Sequence, residues 1–273
     1  MIVTSVVKDL VVGTEGIKVM IKSIWSLLAT CVLAALIGAS GAGATEIRLL
    51  SANAVKEIVL ERVSAFERSS GHKVSIVWGG TEGLAGRVRS GEALDVIIVA
   101  APNIDALIRE RRLVEGSRTD FARSGVGVAV RSGLPRPDVS TAEAVRKAVL
   151  DARSITYSTG PSGFYVAELL GKLGIADQVR DRVRQPPSGV QVGELIARGE
   201  ADLGFQQVSE LLHVKGIDYL GPLPPDIQNL TTYAAGLHAA SAAPDASIAL
   251  MRFLAAPESE PIIRKVGMEP APR

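Results

Sequence analysis

Glycines and hydroxyl side chains follow several short apolar runs in this sequence, and the pattern could hold a small anion. Residues 79–91 (GGTEGLAGRVRSG) come after an alternating run and before the apolar run of residues 95–100. Read as a loop and a short helix, they place Thr81 and bare backbone N–H groups at a helix N-terminus, where unpaired amides and the helix dipole favour an anion. The alternative is a tight turn from strand to helix that binds nothing.

Three further loops repeat this arrangement of small polar residues. They are residues 51–54 (SANA), 158–163 (STGPSG) and 185–189 (QPPSG), and two amides, Gln206 and Gln207, end another apolar run. Neutral donors of this kind can satisfy an anion without a deep charge well, so the ligand can leave again. Each loop alone fits a capped turn as well as a ligand contact.

The elements that would position these loops alternate along the chain. Apolar runs predict strands at residues 45–50, 72–78 and 95–100, each followed by a helix. This alternation predicts an α/β fold with a mainly parallel sheet, in which ligands gather at the carboxyl ends of the strands. Breaks rich in proline and glycine at residues 131–137 and 221–225 indicate a second lobe.

The first residues have a different pattern. Residues 1–44 read as an upstream extension and a secretory signal, with the apolar run of residues 24–37, small residues after it and cleavage before Thr45. Either Met1 or Met20 is the true start, and the spacing favours Met20. A membrane anchor would need about 18 apolar residues or more, which this run lacks. We therefore expect a periplasmic protein.

Charge and cysteine content exclude several classes. Cys31 lies within the apolar run, so the processed chain would have neither a disulfide nor a thiolate; a lipid anchor at Cys31 is an alternative, disfavoured because the run continues past it. Without residues 1–44 the chain would carry 27 basic and 27 acidic residues, which gives no electrostatic footprint for nucleic acid. The sequence shows no phosphate loop and no metal-spaced histidines, so we expect neither a metal nor a cofactor.

Several motifs together resemble the periplasmic molybdate-binding protein family of ABC importers. They are residues 79–91, 161–165 (PSGFY), 172–174 (KLG) and 198–204 (RGEADLG). The resemblance spans nearly all of residues 45–268 and implies a two-lobed type II periplasmic binding fold that closes on its ligand about a hinge. It implies a first lobe of residues 45–126 and 231–273 and a second lobe of residues 127–230.

The loops and the resemblance together give the candidate ligand contacts. These are Ser51, Asn53, Ala54, Gly80, Thr81, Ser162, Gly189, Gln206 and Gln207. In the resemblance, the family's first ligand serine falls closest to Ala54, which has no hydroxyl unless Ser51 or Asn53 replaces it. The family's ligand tyrosine falls at Gln207. These two departures argue against molybdate itself as the ligand.

A branch of this superfamily that includes periplasmic aconitate isomerase offers a second resemblance. It rests on residues 120–125 (DFARSG), 204–212 (GFQQVSELL) and 218–224 (DYLGPLP). The likeness implies a small carboxylate ligand and makes Arg123 a candidate clamp, because a guanidinium pairs with a carboxylate. A structural arginine at the hinge is the alternative. Glu82 would either favour the helix dipole or serve as a base.

These observations predict a monomeric solute-binding protein that captures a small anion for the membrane permease of an ABC importer. Capture by lobe closure needs no catalytic residue. One alternative is an enzyme on the same scaffold that transfers an allylic proton in a small tricarboxylate. Another is the effector domain of a transcription regulator, which the predicted signal and the lack of DNA-binding helices oppose.

Overall fold

The computed structural model describes residues 44–272, and the predicted extension and signal, with Cys31 and both candidate starts, lie outside them. The strands within this range are β1 (Glu46–Ala52), β2 (Lys73–Gly79), β3 (Val96–Ala100), β4 (Thr119–Arg131), β5 (Ile155–Tyr157), β6 (Leu203–Gln207), β7 (Ile217–Pro222), β8 (Leu230–Leu237) and β9 (Glu269–Pro270). None of the described helices is long and apolar enough to cross a membrane.

The helices follow most of the strands, as the sequence predicts. They are α1 (Lys56–Ser70), α2 (Thr81–Arg89), α3 (Ala101–Arg109), α4 (Ala142–Asp151), α5 (Pro161–Lys172), α6 (Ala176–Val179), α7 (Val192–Ala197), α8 (Val208–Leu211), α9 (Pro244–Ala255) and α10 (Glu260–Lys265). Short 3₁₀ turns cover Asn53–Val55, Arg180–Arg182, Pro225–Ile227 and Pro257–Ser259. The sequence analysis missed β7, β9 and α6.

Strands β1, β2, β3 and β8, the first half of β4 and β9 form the sheet of what we call lobe 1. Alternate residues of its strands enter two different cores, because successive side chains point to opposite faces. One core packs α1 and α9 against one face, and the other packs α2 and α3 against the opposite face. The sheet is therefore covered on both sides, which explains the unbroken apolar run of β3.

The second half of β4, with β5, β6 and β7, forms the sheet of lobe 2. All five residues of β6 are buried. Its cores pack α4 and α5 on one face and α7 and α8 on the other. The α/β class is confirmed, and the pairing is mixed: β1 is parallel to β2 and β3, and β5 to β6, whereas β4 and β8 run antiparallel to all of their partners. The sequence analysis expected a mainly parallel sheet.

The chain crosses between the lobes twice. Strand β4 pairs with β8 up to Gly125 and with β6 from Val126 onward, so one continuous strand belongs to both sheets. The second crossing runs from β7 to β8. Gln228 in this segment joins the two crossings, because its Oε1 accepts from Val126 N–H at 2.8 Å and its Nε2 donates to Val126 C=O at 3.1 Å. The predicted lobe limits, residues 45–126, 127–230 and 231–273, stay a prediction.

Asp95 is a buried carboxylate that holds the base of lobe 1. It accepts hydrogen bonds from Arg48 N–H at 2.8 Å, from the Ser241 hydroxyl at 2.8 Å and from Ala242 N–H at 2.9 Å. Burial alone would raise the pKa of this carboxyl, but these donors outweigh it and leave the pKa below its ordinary value. Asp95 therefore stays ionised and joins β1 to the chain that follows β8.

Candidate functional site

A cavity of about 40 Å³ lies between lobe 1 and lobe 2. All four of the polar loops that the sequence analysis singled out contribute to its wall. The lining residues are Ala52, Asn53, Ala54, Gly79, Gly80, Thr81, Glu82, Ser158, Thr159, Gly160, Pro161, Ser162, Ser188, Gly189, Val190, Gln206, Gln207, Glu210 and Tyr233.

The lobe 1 side of the cavity is the N-terminus of α2. The first bond of this helix runs from Leu84 N–H to Gly80 C=O at 3.0 Å, which leaves the amides of residues 81–83 without an intrahelical acceptor. Thr81 is buried and lines the cavity, and its hydroxyl has no hydrogen-bond partner within residues 44–272. These groups and the helix dipole make this end of α2 suited to an anion.

The lobe 2 side includes the N-terminus of α5. Ser158 Oγ accepts from Gly163 N–H at 3.2 Å and lies 3.0 Å from Ser162 Oγ, so the loop folds back onto the helix start. A Cβ at position 163 would lie 1.6 Å from Ser158 O, which explains why glycine stands there. Since Pro161 has no N–H, Ser162 presents the first amide of α5, and this amide has no acceptor among the described residues.

Direct contacts join the two lobes at the rim of the cavity. Asn53 Nδ2 donates to Gly189 C=O at 3.2 Å, and Ser209 Oγ donates to Ala54 C=O at 2.7 Å. A Cβ at Gly80 would lie 3.1 Å from Gly189 N, closer than nearly all real Cβ contacts. The loops of α2 and of residues 185–189 therefore meet backbone to backbone.

The structure brings eight of the predicted contacts to this cavity. They are Asn53, Ala54, Gly80, Thr81, Ser162, Gly189, Gln206 and Gln207. Ser51 is not among the lining residues: β1 continues through Ala52, so the Ser51 side chain is fully buried within the fold. Arg123 also lies elsewhere, because its guanidinium pairs with Glu269 at 2.7 Å and lines a different cavity. The carboxylate clamp that the sequence predicts at Arg123 therefore lies outside this cavity.

The two glutamines have different surroundings. Gln206 Oε1 accepts from Val192 N–H at 2.9 Å, and its Nε2 donates to Gln191 Oε1 at 3.0 Å. In the orientation that satisfies its amide, Gln207 donates to Ser124 C=O at 3.1 Å and accepts from the Thr231 hydroxyl at 3.0 Å. Gln207 therefore ties β6 to the crossing strands, and its amide is not aimed at a ligand.

Sequence reasoning missed Tyr233 and Glu210. Tyr233 comes from β8, is 2% exposed, and has a hydroxyl without a hydrogen-bond partner in the described chain. Burial, and after it the charge of Glu210, raises the pKa of Tyr233 well above its ordinary value, so the phenol stays a donor. Tyr233 gave no sequence signal beyond its place in a buried strand.

Glu210 is the third residue of the short helix α8 and lines the cavity. Burial raises the pKa of its carboxyl to about 7, and hydrogen bonding with the amides of Gln191 and Gln206 opposes the shift without cancelling it. The motif of residues 204–212 contained Glu210, yet nothing local indicated that it would reach the cavity. At neutral pH this carboxyl can therefore gain or lose a proton.

Hydrogen-bond donors, not cations, dominate the electrostatics of the cavity. No lysine, arginine or histidine is among its lining residues, whereas Glu82 and Glu210 are. Glu82 Oε1 accepts from Asn103 Nδ2 at 3.1 Å on the rim. An ionised glutamate at 4 Å would repel a bound anion by about 4 kcal/mol near a protein surface. Within residues 44–272 no cluster of side chains could hold a metal ion to offset this charge.

Comparison with known proteins gives a family match over almost the whole described range. Residues 47–269 match the family model described as bacterial extracellular solute-binding protein. An aconitate isomerase from a Pseudomonas species is 32% identical, over 84% of this chain and 89% of that protein. The molybdate-binding protein ModA of Azotobacter vinelandii is 28% identical, over 63% of this chain and 69% of its own.

The fold is shared with solved structures as well. The periplasmic molybdate-binding protein of Azotobacter vinelandii superposes with a TM-score of 0.71 at 20% identity, over 83% of this chain and 100% of that one. This likeness confirms the two-lobed type II periplasmic binding fold.

Proposed function

Because the chain belongs to the family of bacterial extracellular solute-binding proteins, we propose that it captures a small anion between its two lobes for an ABC importer. The observation that carries this proposal is the meeting of two helix N-termini, α2 of lobe 1 and α5 of lobe 2, at one cavity. Their unpaired amides, with the hydroxyls of Thr81 and Tyr233, form a set of neutral donors around one point. Such a set holds an anion by hydrogen bonds and dipoles.

The size of the cavity supports a compact ligand. A cavity needs roughly 10–15 Å³ to hold one water, so a cavity of about 40 Å³ is small. A tetrahedral oxyanion or a small carboxylate suits this space better than a large polyanion does. Ala54 offers no side-chain donor, which supports a ligand set different from that of the molybdate-binding relatives.

The family supports a proposal about the partner and the location. We infer that the protein acts as a monomer, delivers its anion to a membrane permease and works in the periplasm after cleavage before Thr45. The extracellular setting of the family supports this. The mass of the protein isolated from a periplasmic extract should match a chain that begins at Thr45. A mass that includes residues 1–44 would contradict cleavage.

The first test is a thermal-shift screen of wild type against molybdate, tungstate, sulfate, phosphate and di- and tricarboxylates, repeated with Thr81→Val. At about a hundredfold above its Kd a ligand stabilises by ~2.7 kcal/mol, which raises Tm by roughly 5–10 °C. Loss of a charge-assisted hydrogen bond should weaken Kd roughly 10- to 100-fold in Thr81→Val.

Thr81→Ser is the matched control, because it keeps the hydroxyl and should bind within a few-fold of wild type. If no anion raises Tm, the proposed function fails. If Thr81→Val binds as tightly as wild type, the loop before α2 is only a turn.

The contact between Gly80 and Gly189 gives a second prediction. In Gly80→Ala the new methyl group would press on Gly189 N and Ser188 Oγ, at 3.1 and 3.2 Å. Overpacking of this kind costs about 1–2 kcal/mol, so the anion found in the screen should bind roughly 5- to 30-fold more weakly by calorimetry. Gly86→Ala on the same helix is the control, since no atom lies within 4 Å of its Cβ. Equal affinity of both variants would mean that closure does not need this contact.

An isomerase acting on a small tricarboxylate is the second candidate function. Glu210 favours it, because a carboxyl with a pKa of about 7 in a cavity wall can act as a general base at neutral pH. The base would remove a proton from the allylic carbon and the double bond would shift. The carboxyl, after exchanging its proton with solvent, would then protonate the other end of the allylic system. The similarity to an aconitate isomerase adds support.

Incubation with trans-aconitate in D₂O, followed by NMR, tests this candidate. If the protein is an isomerase, we expect the cis isomer, deuterium in the product and loss of turnover in Glu210→Gln. Absence of both product and deuterium exchange would remove it and leave the binding function untouched.

A further inference from the structure

We propose that anion capture at this site is coupled to a proton held by Glu210, so that the bound anion shares one hydrogen with this carboxyl. The inference rests on the proposed function and deepens it. It makes Glu210 the residue that decides which anions bind. Because Glu210 supplies this hydrogen, a fully ionised anion binds together with one proton from solvent.

The cavity wall is rich in neutral donors and has no cationic side chain among its described residues. An anion there meets amides and hydroxyls, no cationic side chain, and the carboxyls of Glu82 and Glu210. Glu82 stands on the rim, where Asn103 donates to it and where it also lines an outer cavity containing Arg118. Glu210 has only the side-chain amides of Gln191 and Gln206, which do not cancel the effect of its burial. An ionised Glu210 would repel the anion, whereas a protonated Glu210 would donate a hydrogen bond to it.

Neutral side chains surround Glu210 on the side of the anion cavity. The amides of Gln191 and Gln206 face it from α7 and β6, and the Tyr233 phenol faces it from β8. The remaining titratable or charged groups nearby are Lys56 and Glu57 of α1, Glu194 of α7 and His213 after α8. These last four are exposed, so solvent screens them. No cation therefore holds Glu210 in its charged form.

Glu210 is also accessible from a second cavity. A second cavity of about 310 Å³ shares Asn53, Ala54 and Glu210 with the anion cavity and is lined on its other side by Lys56 and His213. Glu210 thus forms part of the partition between the two cavities. A proton can therefore reach the carboxyl from the side of the second cavity, opposite the anion.

The direction of the pH effect follows from the carboxyl. The pKa of Glu210 lies at about 7, above the ordinary 4.5, because burial disfavours the charged form. Below pH 7 the carboxyl is protonated and donates to the anion; above pH 7 it is ionised and repels the anion. Affinity should therefore fall as pH rises through 7, and approach a tenfold loss for each further pH unit.

The test uses calorimetry of the processed protein with two probes, molybdate and trans-aconitate, from pH 6 to 8.5. Titrations in two buffers of different ionisation enthalpy count the protons taken up. For whichever probe binds, we expect uptake to approach one proton per anion at pH 8 and Kd to weaken roughly tenfold between pH 7.5 and 8.5.

Two isosteric variants separate Glu210 from a general charge effect. Glu210→Gln keeps a donor without a titratable proton, so its Kd should be independent of pH and tighter than that of wild type at pH 8.5. Glu82→Gln removes a charge at the rim and should keep the pH dependence and the proton uptake. The Tm of each variant without ligand reports whether it is folded.

The outcomes distinguish this inference from the function on which it rests. Binding without proton uptake, or a pH dependence that survives in Glu210→Gln, overturns the proton coupling and leaves the binding function intact. No binding of either probe across the whole pH range overturns the coupling, and the anion screen then decides the binding function separately.

Discussion

The close approach of two backbones, at Gly80 and Gly189, is the constraint on which the candidate site depends. The donors of this site are amides and hydroxyls, which act only over hydrogen-bond distances of about 3 Å. The start of α2 and the start of α5 can therefore hold one ligand only if the two lobes come close, and the contact of the loop before α2 with residues 185–189 of lobe 2 brings them close. A side chain at Gly80 would keep the loops apart, and Gly189 has a φ of 84°, which glycine adopts at no steric cost. The two glycines set the distance between the lobes.

Two carboxyls in this chain have different pKa values because they receive different hydrogen-bond donors. Burial acts on both Asp95 and Glu210 in the same direction. Asp95 receives two backbone amides and a hydroxyl, and its pKa ends below the ordinary value. Glu210 has only the opposing contacts of two side-chain amides, and its pKa ends at about 7. The first carboxyl is a fixed charge that joins elements of lobe 1, whereas the second can exchange a proton at the pH where an anion would bind.

Local signals were enough to predict the α/β class, most strands and the loops that surround the cavity, because glycine turns and helix starts are encoded over a few residues. Long-range pairing was not predictable in this way. β3 pairs antiparallel with β8, which lies far along the chain, so the expectation of a mainly parallel sheet missed part of the topology. Arg123 meets a partner 146 residues away, and Tyr233 reaches the cavity only because β8 returns to lobe 1. Ser51 lies outside the cavity wall for a local reason, because β1 continues to Ala52 and buries the Ser51 side chain.

Glu210 would act in both candidate functions, anion capture and isomerisation. In a carrier the proton of Glu210 moves only between solvent, the carboxyl and an oxygen of the ligand. In an isomerase it must also reach carbon, so a carbon atom of the ligand has to lie within about 3 Å of the carboxyl. A tricarboxylate held there would bring several charges to a wall that has no cationic side chain among its described residues, where only neutral donors would offset them. The isomerase reaction therefore makes a stricter demand on this wall than capture of a compact anion does, because it needs both compensation of several charges and a carbon atom placed at the carboxyl.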